Sequence, residues 1–193
     1  MFNNRRHSLF VTLLFVSITA TSALPFDGQR KGFVLGGGLG FAPVMKWSAD
    51  AASGEKLYGF DESKAGMAAH FVIGYAPSNS TMLVYLGNST ANNSTLLRRN
   101  QVVQGVNALG FYKYFGRSKR QFFATAAAGL YGFDASDAGM ARSRFGWLIG
   151  FGNEFSRHWQ VGLYFASGTT SADHAVNGMH LLHLSLIFSV LAY

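Results

Sequence analysis

The chain has 193 residues, of which 49% are hydrophobic, 15% aromatic and only 13% charged, with 23 glycines against 3 prolines. That is one domain's length, and it is too apolar for disorder. The formal net charge of +7 is distributed among connecting segments with no concentrated stripe, which excludes a nucleic-acid surface. The absence of cysteine excludes a disulfide framework and any thiolate-held metal.

Arg5, Arg6 and His7 precede a compact apolar run over 9–18, followed by Thr19-Ala20-Thr21-Ser22-Ala23. A basic start, a short apolar centre and a small-residue end predict a secretory signal peptide cleaved after Ala23, leaving 24–193 as the working domain. The arginine pair before Ser8-Leu9 faintly resembles a twin-arginine signal, but the strongly apolar run favours the general secretory route. Beyond it no stretch approaches the length of a membrane-spanning helix.

The working domain alternates at period two, the spacing of strands. A first strand is predicted over 32–42, where Phe33, Leu35, Leu39 and Phe41 oppose Val34, Gly36, Gly38 and Gly40. A phosphate-binding loop is the competing account of this glycine run, but no lysine and no helix pattern come after it. A second strand covers about 64–76, with Met67, Ala69, Phe71, Ile73 and Tyr75 opposite Gly66, Ala68, His70 and Gly74. Pro77-Ser78-Asn79 turns the chain into a third strand over 81–87. Residues 88–100 read as a polar loop. The fourth strand, 101–115, groups Val106, Ala108, Tyr112 and Tyr114 against Asn107 and Lys113, although Leu109 and Phe111 accompany the polar set.

A turn over 116–119 leads to the fifth strand, 121–133, whose alanines do not say which face is which. The sixth, 142–155, sets Phe145, Trp147, Ile149 and Phe151 against Arg144, Gly146, Gly150, Gly152 and Glu154. The seventh, 159–168, sets Trp159, Val161, Leu163 and Phe165 against Gln160, Gly162, Tyr164 and Ala166. The last, within 178–193, has an unbroken apolar face of Leu182, Leu184, Leu186, Phe188, Val190 and Ala192 opposite His183, Ser185, Ile187, Ser189, Leu191 and Tyr193. Connections after odd strands are long and those after even strands are short. This predicts an all-β, eight-stranded antiparallel up-and-down barrel with one plain rim and one decorated rim. Bulky apolar residues on one face, with glycine and a few polar groups on the other, place the apolar face outward in lipid. Tyr75, Tyr112, Tyr114, Phe155, Trp159 and Tyr193 lie near the short turns, where an interfacial girdle belongs.

The signal peptide, the Gly-Phe-Val-Leu-Gly-Gly-Gly-Leu-Gly-Phe opening strand over 32–41 and the aromatic end together resemble the small outer-membrane β-barrel proteins of Gram-negative bacteria. The final strand is similar to the C-terminal assembly signal of such barrels, except that Tyr193 falls one residue out of phase with the apolar face. The resemblance implies a monomer in the cell outer membrane with both mature termini in the periplasm. It also implies contact with outer-membrane lipid and lipopolysaccharide, and recognition by the barrel assembly machinery through the last strand. It carries no functional motif, so the expected role is non-catalytic: envelope integrity, or surface interaction through extracellular loops. A narrow channel and a lipid A-modifying enzyme are the alternatives.

The chemistry-bearing residues point the same way. His70, His180 and His183 lack metal-ligand spacing, and neither a metal nor another cofactor is expected. Arg144, Glu154, Lys113, His70 and Tyr164 read as an interior polar network, structural in role. Asn79-Ser80-Thr81, Asn88-Ser89-Thr90 and Asn93-Ser94-Thr95 have sequon form but read as turn and loop chemistry. Charges of both signs (Asp50, Glu55, Asp61, Glu62; Lys46, Lys56, Arg98, Arg99) fall in the loops. His183-Leu184-Ser185 is similar to the H-x-S core of outer-membrane lipid A deacylases, with His as base and Ser as nucleophile, about 7 Å apart along a strand. Leu186 stands where that family has Asn, and both side chains are expected to face the lumen. No catalytic residue is therefore assigned.

Overall fold

The computed structural model describes residues 30–51, 62–93, 101–116, 121–135, 139–171 and 176–193. It contains eight strands in chain order: β1 (Gly32–Ala51), β2 (Glu62–Ser78), β3 (Thr81–Asn93), β4 (Gln101–Phe115), β5 (Gln121–Ala135), β6 (Gly139–Ser156), β7 (Trp159–Ser171) and β8 (Val176–Ala192). Each pairs antiparallel with its sequence neighbours, and β1 closes on β8 with Leu35 opposite Ala192 and Leu39 opposite Phe188. Closure leaves no sheet edge, the condition a strand structure must meet where no water can satisfy the backbone.

Strand order and turn placement agree with the alternation in the sequence, but seven of the strands, all but β4, run on past their expected ends at the long-connection rim. The clearest case is β3. Residues 88–93, expected in a loop, continue the ladder against β4 with Asn88 opposite Val106 and Asn93 opposite Gln101. Here the period of two persists in polar residues: Asn88, Thr90 and Asn92 are buried while Ser89 is exposed. The extension of β1 passes through Pro43, which falls inside a register shift between Ala42 and Met45. A bulge is where a strand tolerates a residue with no N–H to donate.

The short turns are tightly made. His158 adopts φ 70° in the β6–β7 turn. Its Nδ1 donates to the Leu191 carbonyl at 2.8 Å, and the Leu191 N–H returns a bond to the His158 carbonyl at 2.8 Å. That exchange ties the end of β8 to the neighbouring turn. Residues 1–23, expected to form the signal peptide, lie outside the described residues, as do the loop charges Glu55, Lys56, Asp61, Arg98 and Arg99.

Candidate functional site: a filled lumen inside an apolar wall

The outer surface carries most of the large apolar side chains. Leu39 (67% exposed), Phe145 (64%) and Phe151 (64%) are examples, with Phe33, Ile149, Trp159, Leu186 and Phe188 also exposed. In water such a contiguous surface is a liability; in hydrocarbon it is the required solvent-facing side. Among the described residues no helix is long and apolar enough to cross a membrane.

Inside, glycine and aromatic residues fit one another. A Cβ at Gly146 or Gly168 would fall 2.6 or 2.4 Å from Tyr131 Cβ, and one at Gly150 would fall 2.5 Å from the Tyr164 ring. The rings of β5 and β7 thus lie on bare backbone of β6 and β7, and the lumen is packed with side chains, as an eight-stranded barrel must be.

Two polar clusters occupy the lumen. Near the short-turn rim Arg30, just before β1, donates from Nη2 to Glu154 Oε2 at 2.6 Å and from Nη1 to Gln121 Oε1 at 3.1 Å and to the Asn79 carbonyl. Its guanidinium lies 3.4 Å from the centroid of the Tyr114 ring. Tyr193 donates its hydroxyl to Glu154 Oε1 at 2.9 Å. Burial, and next the Glu154 carboxylate, push the Tyr193 phenol above its ordinary value, so it remains a donor. The phase departure of Tyr193 is thereby explained: this residue caps the lumen.

The second cluster is neutral and runs across the middle. Tyr131 donates to His183 Nδ1 at 2.6 Å, and His183 Nε2 donates to Asn88 Oδ1 at 2.6 Å. Asn88 Nδ2 donates to His70 Nδ1 at 3.4 Å, and His70 Nε2 to the Tyr112 hydroxyl at 2.9 Å. Tyr112 then donates to Tyr164 at 3.5 Å. The amide of Asn88 assigns the direction: its oxygen can only accept and its nitrogen only donate, which fixes one tautomer for each imidazole.

The structure brings together three of the five residues expected in an interior network and removes two. His70, Tyr164 and Glu154 are buried in the lumen, whereas Lys113 and Arg144 are exposed. Lys113 reaches from the outer face to Ser80 Oγ (3.3 Å) and Thr81 Oγ1 (3.2 Å) at the turn. Arg144 stands opposite the inward Tyr131 but lies exposed towards the long-connection end of β6, away from Glu154. In β4 the outward placement of Lys113 goes with an inward placement of its neighbours. Tyr112 and Tyr114 point inward with Tyr193, while Tyr75, Phe155 and Trp159 remain on the outer face. With aromatics on both faces of β4, the inner set was chosen by hydroxyls that find partners. Arg30, which anchors the charged cluster, was missed because it precedes the first strand, and Arg144 and Lys113 stood in as the cations expected near Glu154.

His183 and Ser185 are both fully buried in the lumen, and each bonds Asn88 Oδ1, Ser185 at 3.3 Å. A nucleophile so placed has no access to lipid. His180, by contrast, is exposed. Of the sequon asparagines, Asn79 is exposed in a turn, Asn88 is sealed in the lumen, and Ser94-Thr95 lie outside the described residues.

Neither a protein-family model nor a curated protein sequence matches the chain. Solved structures match in shape. Neisserial surface protein A aligns over 84% of this chain and 97% of its own, with 11% identity and a TM-score of 0.54. The fold is that of a small outer-membrane β-barrel. OprG from Pseudomonas aeruginosa aligns over 86% of this chain and 99% of its own, with 15% identity and a TM-score of 0.46. At these identities the likeness concerns the fold and nothing finer.

Proposed function

We propose that the protein is an integral outer-membrane barrel without catalytic activity. In this reading the short-turn rim and both mature termini face the periplasm, and residues 1–23 are removed on export. The long connections between odd and even strands face outward, where the protein acts by surface interaction or by supporting the envelope. It sits as a monomer among lipopolysaccharide and reaches its place through the barrel assembly machinery, which reads β8. The observation that carries the reading is the inversion of an ordinary soluble barrel: exposed Phe, Leu and Trp outside, hydrogen-bonded polar groups and fitted rings inside. The filled lumen argues against a conducting role, because wide aqueous pores need about sixteen strands.

Protease added to intact cells tests the orientation. Cleavage confined to the segments 52–61, 94–100, 136–138 and 172–175 supports it. Cleavage at the short turns, with those segments protected, contradicts it. For the deacylase alternative, Ser185→Ala should leave the host lipid A mass spectrum unchanged.

A further inference from the structure

The residues before β1 do not continue along the barrel wall. Gly32, the first residue of β1, adopts φ 120°, a backbone angle that glycine takes up far more readily than other residues. Beyond it Arg30 is buried and reaches across the short-turn mouth. Its partners are Asn79 in the β2–β3 turn, Tyr114 of β4, Gln121 of β5, Glu154 of β6 and Tyr193 after β8. In the closed order of eight strands β5 stands opposite β1, so this arm spans the mouth.

None of these partners belongs to the arm: the barrel supplies a receptor and the arm supplies the cation. The acceptors are divided between two nitrogens, with Nη1 bonding the Asn79 carbonyl and Gln121 Oε1 and Nη2 bonding Glu154 Oε2. The ring centroids of Tyr114 and Tyr193 lie 3.4 and 5.3 Å from the guanidinium carbon, both within cation–π reach. Glu154 is buried, Gln121 half-buried and Asn79 exposed, so the site opens towards the rim. Arg30 nonetheless fills it incompletely. Its Nε is buried without a partner among the described residues, and Glu154 Oε1, which a guanidinium fork would take, accepts from Tyr193 instead. Gln160 stands opposite both Glu154 and Ser189, and Gln160 Nε2 and Ser189 Oγ are likewise buried without partners among the described residues.

From the wall-built receptor, the arm turned in at Gly32 and the incomplete fit, we infer that the short-turn mouth is a guanidinium-binding site. Arg30 fills it in cis, and a guanidinium ligand entering from that side takes the same seat. An ammonium is the poorer occupant, because the acceptors are set for a planar fork and Tyr114 offers it a flat face. The site goes beyond the function proposed above, whose orientation decides only that the ligand comes from the periplasm.

Arg30→Ala, refolded in detergent, empties the seat. Its melting temperature is followed by far-UV circular dichroism against ethylguanidinium chloride, with ethylammonium chloride and sodium chloride as controls at equal ionic strength. Ethylguanidinium should raise it saturably. The wild type should need about tenfold more, since the tethered Arg30 competes at an effective concentration on the order of millimolar. Adding Glu154→Gln to the Arg30→Ala chain should abolish the rise. Tyr114→Leu should weaken the binding about fivefold while Tyr114→Phe keeps it. An equal rise with ethylammonium, a rise that survives Glu154→Gln, or no rise with either cation would each overturn the inference. If Arg30→Ala gives no folded band on an unboiled gel, Arg30→Gln, whose amide still donates to Glu154, provides the background, and the same three outcomes decide.

Discussion

The wall formed by β6, β7, β8 and β1 and the wall formed by β3, β4 and β5 both put apolar bulk outside but differ in where each leaves bare backbone. On the first wall the bulk faces outward: Phe145, Trp147, Ile149, Phe151, Leu186 and Leu39 are exposed over inner positions held by Gly150, Gly162 and Gly38. On the second, Leu86, Tyr112, Tyr114, Phe123 and Tyr131 crowd the inner face, while the outer face, bulky at Leu83, Leu109, Phe111, Phe122 and Leu130, thins at Gly105, Asn107, Ala126 and Gly132. Tyr112, Tyr114, Phe123 and Tyr164 pack ring against ring in the lumen, and a narrow interior holds them only where facing positions are small. The bare backbone of β6 and β7 at Gly146, Gly150, Gly162 and Gly168 receives Tyr131 from the second wall and Tyr164 from the first. The outer belt is unbroken on the first wall and thins on the second around Gly105, Asn107 and Gly132.

The largest expected effect comes from the charged cluster that both walls share. Glu154→Ala leaves the Arg30 guanidinium buried without its carboxylate and should cost about 3–5 kcal/mol in urea unfolding from lipid vesicles. Replacing Arg30 by Met in the same chain should recover part of that loss. Next, Ile149→Arg puts a charge on the bulky wall in the belt and should cost about 2–4 kcal/mol. Asn107→Leu on the thin wall should cost nothing and slightly stabilise. Equal penalties would erase the distinction between the walls.

Filling the bare side is the third way to break the comparison. Gly168→Leu drives a side chain into Tyr131 and should cost about 1–3 kcal/mol by overpacking. Gly132→Ala, on the outer face, should be nearly neutral. The smallest effect is at the cap. Tyr193→Phe removes the bond to Glu154 and should cost about 1 kcal/mol at neutral pH. Because the folded phenol titrates above its unfolded value, its contribution is full below about pH 10 and fades as pH rises through the folded value. The Phe variant should lack that alkaline loss in an unfolding series.

Much of this architecture was legible in the residues. The phases of β1, β6, β7 and β8 arise from clean alternation of bulky and small residues, and all four agree with the structure. The inward placement of His183 and Ser185 comes from the same pattern. What could not be read has particular causes. In β4, Phe111 and Phe115 compete with Tyr112 and Tyr114, and the choice depends on partners from β2, β7 and the residue before β1 that no local pattern displays. In β3, the strand leaves the apolar belt but keeps its hydrogen bonds, so hydropathy ends before the ladder does. Arg144 keeps the inward phase its spacing gives it, opposite Tyr131, but it lies exposed towards the long-connection rim and out of the network, a depth that periodicity does not display. The fold was thus carried by periodicity, whereas the polar contacts of the lumen depended on long-range geometry.

The central claim is that the apolar face is outside and in lipid. The tryptophans test it directly: Trp147 (37% exposed) and Trp159 (42%) stand on the outer face, whereas Trp47 (4%) is turned inward against Phe133. Variants that retain one tryptophan each can be refolded into vesicles of brominated phospholipid and their fluorescence compared with that in unbrominated vesicles. The account predicts strong quenching for Trp147 and Trp159 and little for Trp47. Quenching of Trp47 with Trp147 and Trp159 spared would contradict it, because the barrel would then have its faces reversed.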